Sequence, residues 1–111
     1  MSRSIIELNT FEELQAAAGA EFVDELVGTF FEEAPTLLAE LRDAQAGGDA
    51  QRFRRAAHSL KTNAQTFGAM ALGEQARALE LGALPAPAGA LEALEAAYAQ
   101  AAAALERLRH G

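Results

Sequence analysis

The side chains best suited to chemistry in this 111-residue chain lie in a short basic stretch around one histidine. His58 follows Arg54 and Arg55 by four and three residues, and it precedes Lys61 by three. Side chains three and four residues apart are neighbours on a helix surface, so these cations would border the imidazole in a helix. Neutral imidazole is a nucleophile near pH 7, and nearby cations stabilise anionic oxygens. The spacing therefore favours a histidine that accepts an anionic group.

Other kinds of site have weaker support in the residues. The chain has no cysteine, and its second histidine is the distant His110, so we expect no metal site and no cofactor. Ser59 is adjacent to His58 and would point elsewhere on a helix, and no nucleophile elbow is visible, which argues against a hydrolase. No glycine-rich nucleotide loop is present, so we expect no autophosphorylation from ATP. A histidine that is exposed but has no function stays open on these residues alone.

The direction in which His58 points follows from the apolar spacing of its predicted helix. Phe53, Ala57, Leu60, Ala64 and Phe67 form one apolar stripe. At 100° per residue, His58 lies about 140° from the centre of that stripe, on the solvent face. The polar residues that share this face are Gln51, Arg54, Arg55, Thr62 and Gln65, with Lys61 on its flank.

Capping and breaking residues divide the chain into five predicted helices. A capping box at Thr10-Phe11-Glu12-Glu13 opens a short helix that ends near Gly19, and a long helix follows from about Glu21 to Ala46. Pro35 inside that helix predicts a kink, or a break with a restart. The remaining segments are a third helix capped by Asp49 and reaching Phe67, a fourth from about Ala69 to Leu81, a loop from Gly82 to Gly89, and a last helix from about Ala90 to Arg109.

The fold predicted from these segments is all-α. Each of the last three helices carries one apolar stripe, and short loops make neighbouring helices antiparallel. We therefore expect an up-down antiparallel four-helix bundle, with the short N-terminal helix covering one end. The length suits a single domain over residues 1–111, and one stripe per helix favours a monomer.

Charge and hydropathy narrow the class of partner. The formal net charge is −7, which argues against nucleic acid, because binding to phosphates depends on Lys and Arg. No apolar run approaches the length of a membrane span, and the first residues carry no signal-peptide core. We therefore expect a soluble cytoplasmic protein with no membrane association.

A longer motif links this histidine to a known family. It runs Ala57-His58-Ser59-Leu60-Lys61, then Phe67-Gly68-Ala69, then Leu72 and Leu79-Glu80. This pattern resembles the signature of the histidine-containing phosphotransfer (HPt) domain family, and the stretch Phe30 to Pro35 and the Gly48-Asp49 turn are also similar. The resemblance extends from about Leu8 to Leu108 and combines motif, spacing and helix order.

The resemblance implies a carrier in a two-component phosphorelay. His58 would accept a phosphoryl group from the aspartate of a receiver domain and pass it to another receiver. Lys61 would help to hold the phosphoryl oxygens. The partners would be receiver domains of response regulators or hybrid histidine kinases, with Mg²⁺ supplied on the receiver. The residues expected to contribute to docking are Arg54, Arg55, Thr62, Gln65 and Glu80.

Some points stay open at the level of sequence. Thr62 stands where many members of the family have glycine, which could affect how closely a partner approaches the imidazole. Glu80 could orient the ring of His58 or be merely solvated. There are two alternatives to a carrier. One is an adaptor that binds receivers without transferring phosphate, and the other is a helical bundle with no signalling role. The direction of phosphate flow and the partners are not encoded in the motif.

Overall fold

The computed structural model describes residues 5–110, which fold into five α-helices. These are α1 (Leu8–Ala18), α2 (Ala20–Gly47), α3 (Ala50–Thr66), α4 (Met70–Leu81) and α5 (Ala90–His110). No strand occurs within this range, so the all-α prediction is confirmed. In the same range no helix has the length and apolar character needed to cross a membrane.

The junction between α2 and α3 follows the predicted capping chemistry. Gly48 ends α2 in the left-handed conformation, with φ of 68°. The side chain of Asp49 then accepts a hydrogen bond from the amide of Arg52 at 3.1 Å, as expected for a helix N-cap. This junction fixes the residue at which α3 begins. It therefore also sets the direction in which each side chain of the helix points.

The predicted start of α1 was wrong. The helix begins at Leu8, and its cap is Glu7, whose Oε1 accepts from the amide of Asn9 at 2.9 Å, so Thr10 lies inside the helix. The amide of Glu7 also donates to the carbonyl of Gly68 at 2.8 Å. A contact with the α3–α4 turn thus accompanies the earlier start, and a local capping pattern could not reveal it.

Pro35 does not break α2, which continues from Ala20 to Gly47 as one helix. A proline removes the amide that would bond to the carbonyl four residues earlier. Pro35 is exposed whereas its neighbour Ala34 is fully buried, so water can reach the side of the helix where that bond is missing. The buried side of α2 packs against α3 and α5 and holds the helix together. The alternative of a break and restart at this position is therefore not observed.

The four longer helices enclose one apolar core. Helix α2 contacts α3 and α5, α4 also contacts α3 and α5, and α1 lies against α2 and α3. The largest fully buried side chains are Phe30, Phe53, Leu41, Leu60, Leu72, Leu94, Leu105, Val23 and Val27. Burying a side chain of this size stabilises the fold by about 1.5–3 kcal/mol, so this core fixes the positions of the helices.

Small residues allow α4 to approach α3 closely. A Cβ atom placed on Gly73 would lie 3.1 Å from Cγ of Gln65 and 3.8 Å from both Cβ of Ala64 and the carbonyl oxygen of Lys61. Glu80 lies seven residues after Gly73, about two turns further along the same face of α4. The close approach therefore brings the end of α4 within reach of polar side chains on α3.

Candidate functional site

Helix α3 presents His58 to solvent. Its side chain is 58% exposed, whereas Ala57, Leu60 and Ala64 on the opposite face are fully buried. This is the orientation that the apolar stripe predicts, because a helix with one buried face must expose the residues on the other. An imidazole on this surface is accessible to a second protein.

A carboxylate from α4 holds the imidazole from one side. Nδ1 of His58 lies 2.6 Å from Oε2 of Glu80, and Oε1 of the same carboxylate lies 2.9 Å from Nζ of Lys61. Glu80 thus bridges two residues that are three apart on α3. The side chains of Lys61 and Glu80 are only 19% and 20% exposed, so this pair is more shielded from solvent than His58.

The two contacts decide the charge of the bridging carboxylate. The ion pair with Lys61 lowers the pKa of Glu80 below its ordinary value, the hydrogen bond with His58 lowers it further, and partial burial acts in the opposite direction. The contacts outweigh the burial, so Glu80 is ionised at neutral pH. A carboxylate in this state can only accept hydrogen bonds.

The ionised carboxylate therefore selects one tautomer of the neutral imidazole. Nδ1 of His58 must carry the proton that is donated to Glu80, which leaves the lone pair on Nε2. In this tautomer the nucleophilic nitrogen is the one that faces away from Glu80. When the imidazole is neutral, the arrangement thus presents the lone pair of Nε2 to an approaching electrophile.

The residues predicted to contribute to docking lie at different distances from the imidazole. Arg54 and Arg55 are exposed and line a shallow depression together with His58. Thr62 is exposed, but its hydroxyl donates to the carbonyl of His58 at 3.0 Å, so it is tied to the helix backbone. Gln65 is exposed two turns away, beside Gly73. Their roles in docking stay predictions.

Two features of the site were missed by the sequence reasoning. Lys61 is predicted on the flank of the solvent face of α3 without a partner from another helix, yet its ammonium group contacts Glu80 of α4. Leu81, which the sequence reasoning did not select, lines the same depression as His58 and is 68% exposed. An apolar residue at the end of α4 that falls outside the buried stripe is the signal that could have identified Leu81.

The potential metal ligands near His58 are few. Within residues 5–110 no cluster of three or more His, Cys, Asp or Glu side chains is placed to hold an ion. Lys61 and Glu80 are paired with each other, and His58 contributes a single imidazole. The site offers one nucleophile, one orienting carboxylate and one nearby ammonium group.

These observations define a small helical domain that presents an oriented histidine on its surface. Comparison with protein families identifies the class, because the Hpt domain family matches residues 25–108 of the chain. The protein belongs to the Hpt domain family. Domains of this family are phosphocarriers, not kinases, and they transfer phosphoryl groups in two-component phosphorelays through receiver domains. No curated protein and no solved structure matched the chain.

Proposed function

We propose that the protein accepts a phosphoryl group on Nε2 of His58 from the aspartyl phosphate of one receiver domain and passes it to the aspartate of another. The observation that carries this proposal is the 2.6 Å contact between Nδ1 of His58 and the carboxylate of Glu80. It directs the lone pair of an exposed imidazole to the nitrogen that a partner can reach. An incidental surface histidine has no need of such a fixed partner.

The transfer needs no proton acceptor in this arrangement. The lone pair of Nε2 attacks phosphorus in line, the bond from phosphorus to the aspartyl oxygen breaks, and its electron pair stays on the aspartate carboxylate. The proton on Nδ1 stays in place, so the imidazole becomes positively charged. Glu80, already in contact with Nδ1, stabilises that charge. The same sequence run backwards delivers the phosphoryl group to the next receiver.

Lys61 would change partner during this step. Before transfer its ammonium group is 2.9 Å from Glu80. Once the ring of His58 is positively charged, Glu80 has a second cation, and the phosphoryl oxygens attract Lys61 more strongly than before. Lys61 then stabilises the phosphoryl group while Glu80 stabilises the ring.

The phosphoryl donor in this proposal is a receiver domain of a response regulator or a hybrid histidine kinase. The receiver supplies Mg²⁺ and the aspartyl phosphate, and this chain supplies the nucleophile, Lys61 and a docking surface. We further infer that α2 to α5 form an up-down antiparallel bundle with α1 at one end, acting as a monomer in the cytoplasm. The ring of contacts among α2, α3, α4 and α5 supports the bundle.

The proposal is tested by transfer from receivers to the isolated protein. A panel of receiver domains is phosphorylated with acetyl phosphate and Mg²⁺ and mixed with wild type, His58→Gln or His110→Gln. His110 is the only other histidine, so its variant is the matched control. We expect an acid-labile, base-stable phosphate on wild type and on His110→Gln, and none on His58→Gln.

Two results would contradict the carrier function. Phosphate that persists on His58→Gln would place the acceptor elsewhere in the chain. Binding of receivers without transfer to wild type would leave an adaptor as the better description. Circular dichroism and unfolding of His58→Gln serve as the folding control, because this variant loses the contact with Glu80 but leaves the buried core unchanged.

A further inference from the structure

Within residues 5–110, two arginines beside His58 have no carboxylate partner. Arg42 and Arg109 form ion pairs at 2.6 and 2.7 Å, and Arg52 approaches Asp43. Arg54 and Arg55 are exposed and make no ion pair or side-chain hydrogen bond with any residue in the described part of the chain. Their charges are therefore available to another molecule.

The two arginines lie on opposite sides of the histidine. Helix geometry places Arg54 about 40° to one side of His58 and Arg55 about 60° to the other. Both side chains line the depression that contains His58. A partner centred on His58 would therefore meet a positive charge on each side.

An apolar side chain completes this surface. Leu81 lines the same depression and is 68% exposed, more than Phe22 at 52% or Leu8 at 47%. Because Leu81 shares this depression with the nucleophile, a partner that covers His58 also covers this apolar side chain. We call the set Arg54, Arg55 and Leu81 the selector surface.

The net charge of the chain determines how the selector surface acts on an acidic partner. At −7, the protein as a whole repels an acidic partner. Arg54 and Arg55, which have no ion pair within residues 5–110, make the face around the nucleophile locally attractive to such a partner. Long-range repulsion combined with local attraction orients the encounter, so acidic partners approach through the face that bears His58.

We propose that the selector surface determines which receiver domains exchange phosphate with this protein, a proposal that rests on the proposed function. The receiver it selects carries carboxylates on both sides of its phosphoryl-bearing aspartate, to pair with Arg54 and Arg55. It also carries an apolar side chain that covers Leu81. Receivers with lysines or arginines at those flanking positions are repelled.

The test compares charge reversals inside and outside the selector surface. Arg54→Glu and Arg55→Glu are matched by Arg107→Glu, which makes the same charge change at an exposed arginine of α5 that also lacks an ion pair within residues 5–110. The probe is the receiver, phosphorylated with acetyl phosphate, that transfers fastest to wild type. At low salt we expect kcat/KM to fall about tenfold or more for the first two variants, and to change little for Arg107→Glu. High salt should reduce the difference.

The apolar part of the selector surface is tested separately. Leu81→Ser should lower kcat/KM at low and at high salt alike, because apolar contact is not screened by ions. Phe22→Ser, at another exposed apolar side chain, is its control. Reversing a flanking carboxylate of the receiver to lysine should restore transfer with Arg54→Glu or Arg55→Glu.

Several results would overturn this proposal while leaving the proposed function intact. If kcat/KM fell equally for Arg107→Glu, the net charge of the protein alone would explain the effect. Faster hydrolysis of the isolated phosphorylated Arg54→Glu or Arg55→Glu would show that the arginines bind the phosphoryl group instead of the partner. The proposal would also be refuted if the rate of transfer across the panel of receivers did not depend on the charges that flank the receiver's aspartate. Failure of the proposed function looks different, because wild type itself would then accept no phosphate.

Discussion

The turn between α3 and α4 depends on Gly68 in a way that a substitution can measure. Gly68 has φ of 83°, and a Cβ atom added to it would lie 2.8 Å from the carbonyl oxygen of Glu7 and 3.2 Å from Cβ of Thr10. The carbonyl of Gly68 also accepts a hydrogen bond from the amide of Glu7 at 2.8 Å. Gly68→Ala would therefore strain the backbone and displace the segment that leads into α1.

The expected loss of stability follows from these two effects. Holding a residue other than glycine in the left-handed region costs about 1–2 kcal/mol. Relieving the contact with Glu7 requires that segment to move, and losing the Glu7–Gly68 hydrogen bond costs about 1 kcal/mol more. We therefore expect Gly68→Ala to lower the free energy of unfolding by about 2–3 kcal/mol in total.

A second glycine isolates the contribution of the contact. Gly89 has φ of 82°, and a Cβ atom there would meet nothing within 4 Å. Gly89→Ala thus carries the backbone strain alone, and urea unfolding should find it at least about 1 kcal/mol more stable than Gly68→Ala. Equal losses for the two variants would refute the reasoning, because the packing of Glu7 on the turn would then contribute nothing.

Two further predictions concern the electrostatics and the caps. The folded pKa of Glu80 lies below its ordinary value of 4.5, so the contacts with Lys61 and His58 stabilise the fold above that value and lose this effect as the pH falls through the folded pKa. Urea unfolding should therefore show Glu80→Gln less stable than wild type near pH 7, with the difference shrinking as the pH falls below 4.5, and a constant difference would contradict the assignment. Asp49→Ala removes the N-cap of α3 and should lower the free energy of unfolding by about 1 kcal/mol. The control is Asp43→Ala, which removes an exposed carboxylate that caps no helix and should change the free energy of unfolding little.

The sequence by itself determined the features that depend on local signals. Asp49 caps α3, Gly48 and Gly68 end helices in the left-handed conformation, and the apolar stripe of α3 puts His58 on the solvent face. Each of these follows from residues within about two turns of one another, because capping and the 100° step of a helix act over that range. The motif around His58 and Lys61 also identified the family.

Only the tertiary structure decided what surrounds the histidine. Glu80 is 22 residues from His58, and its carboxylate reaches both Nδ1 and the ammonium group of Lys61 because small residues let α4 approach α3 closely. The start of α1 at Leu8 likewise accompanies a contact with the Gly68 turn, and Leu81 joins the site from the end of α4. A shift of an ångström between two helices makes or breaks such contacts, and side-chain packing across the whole core sets that distance.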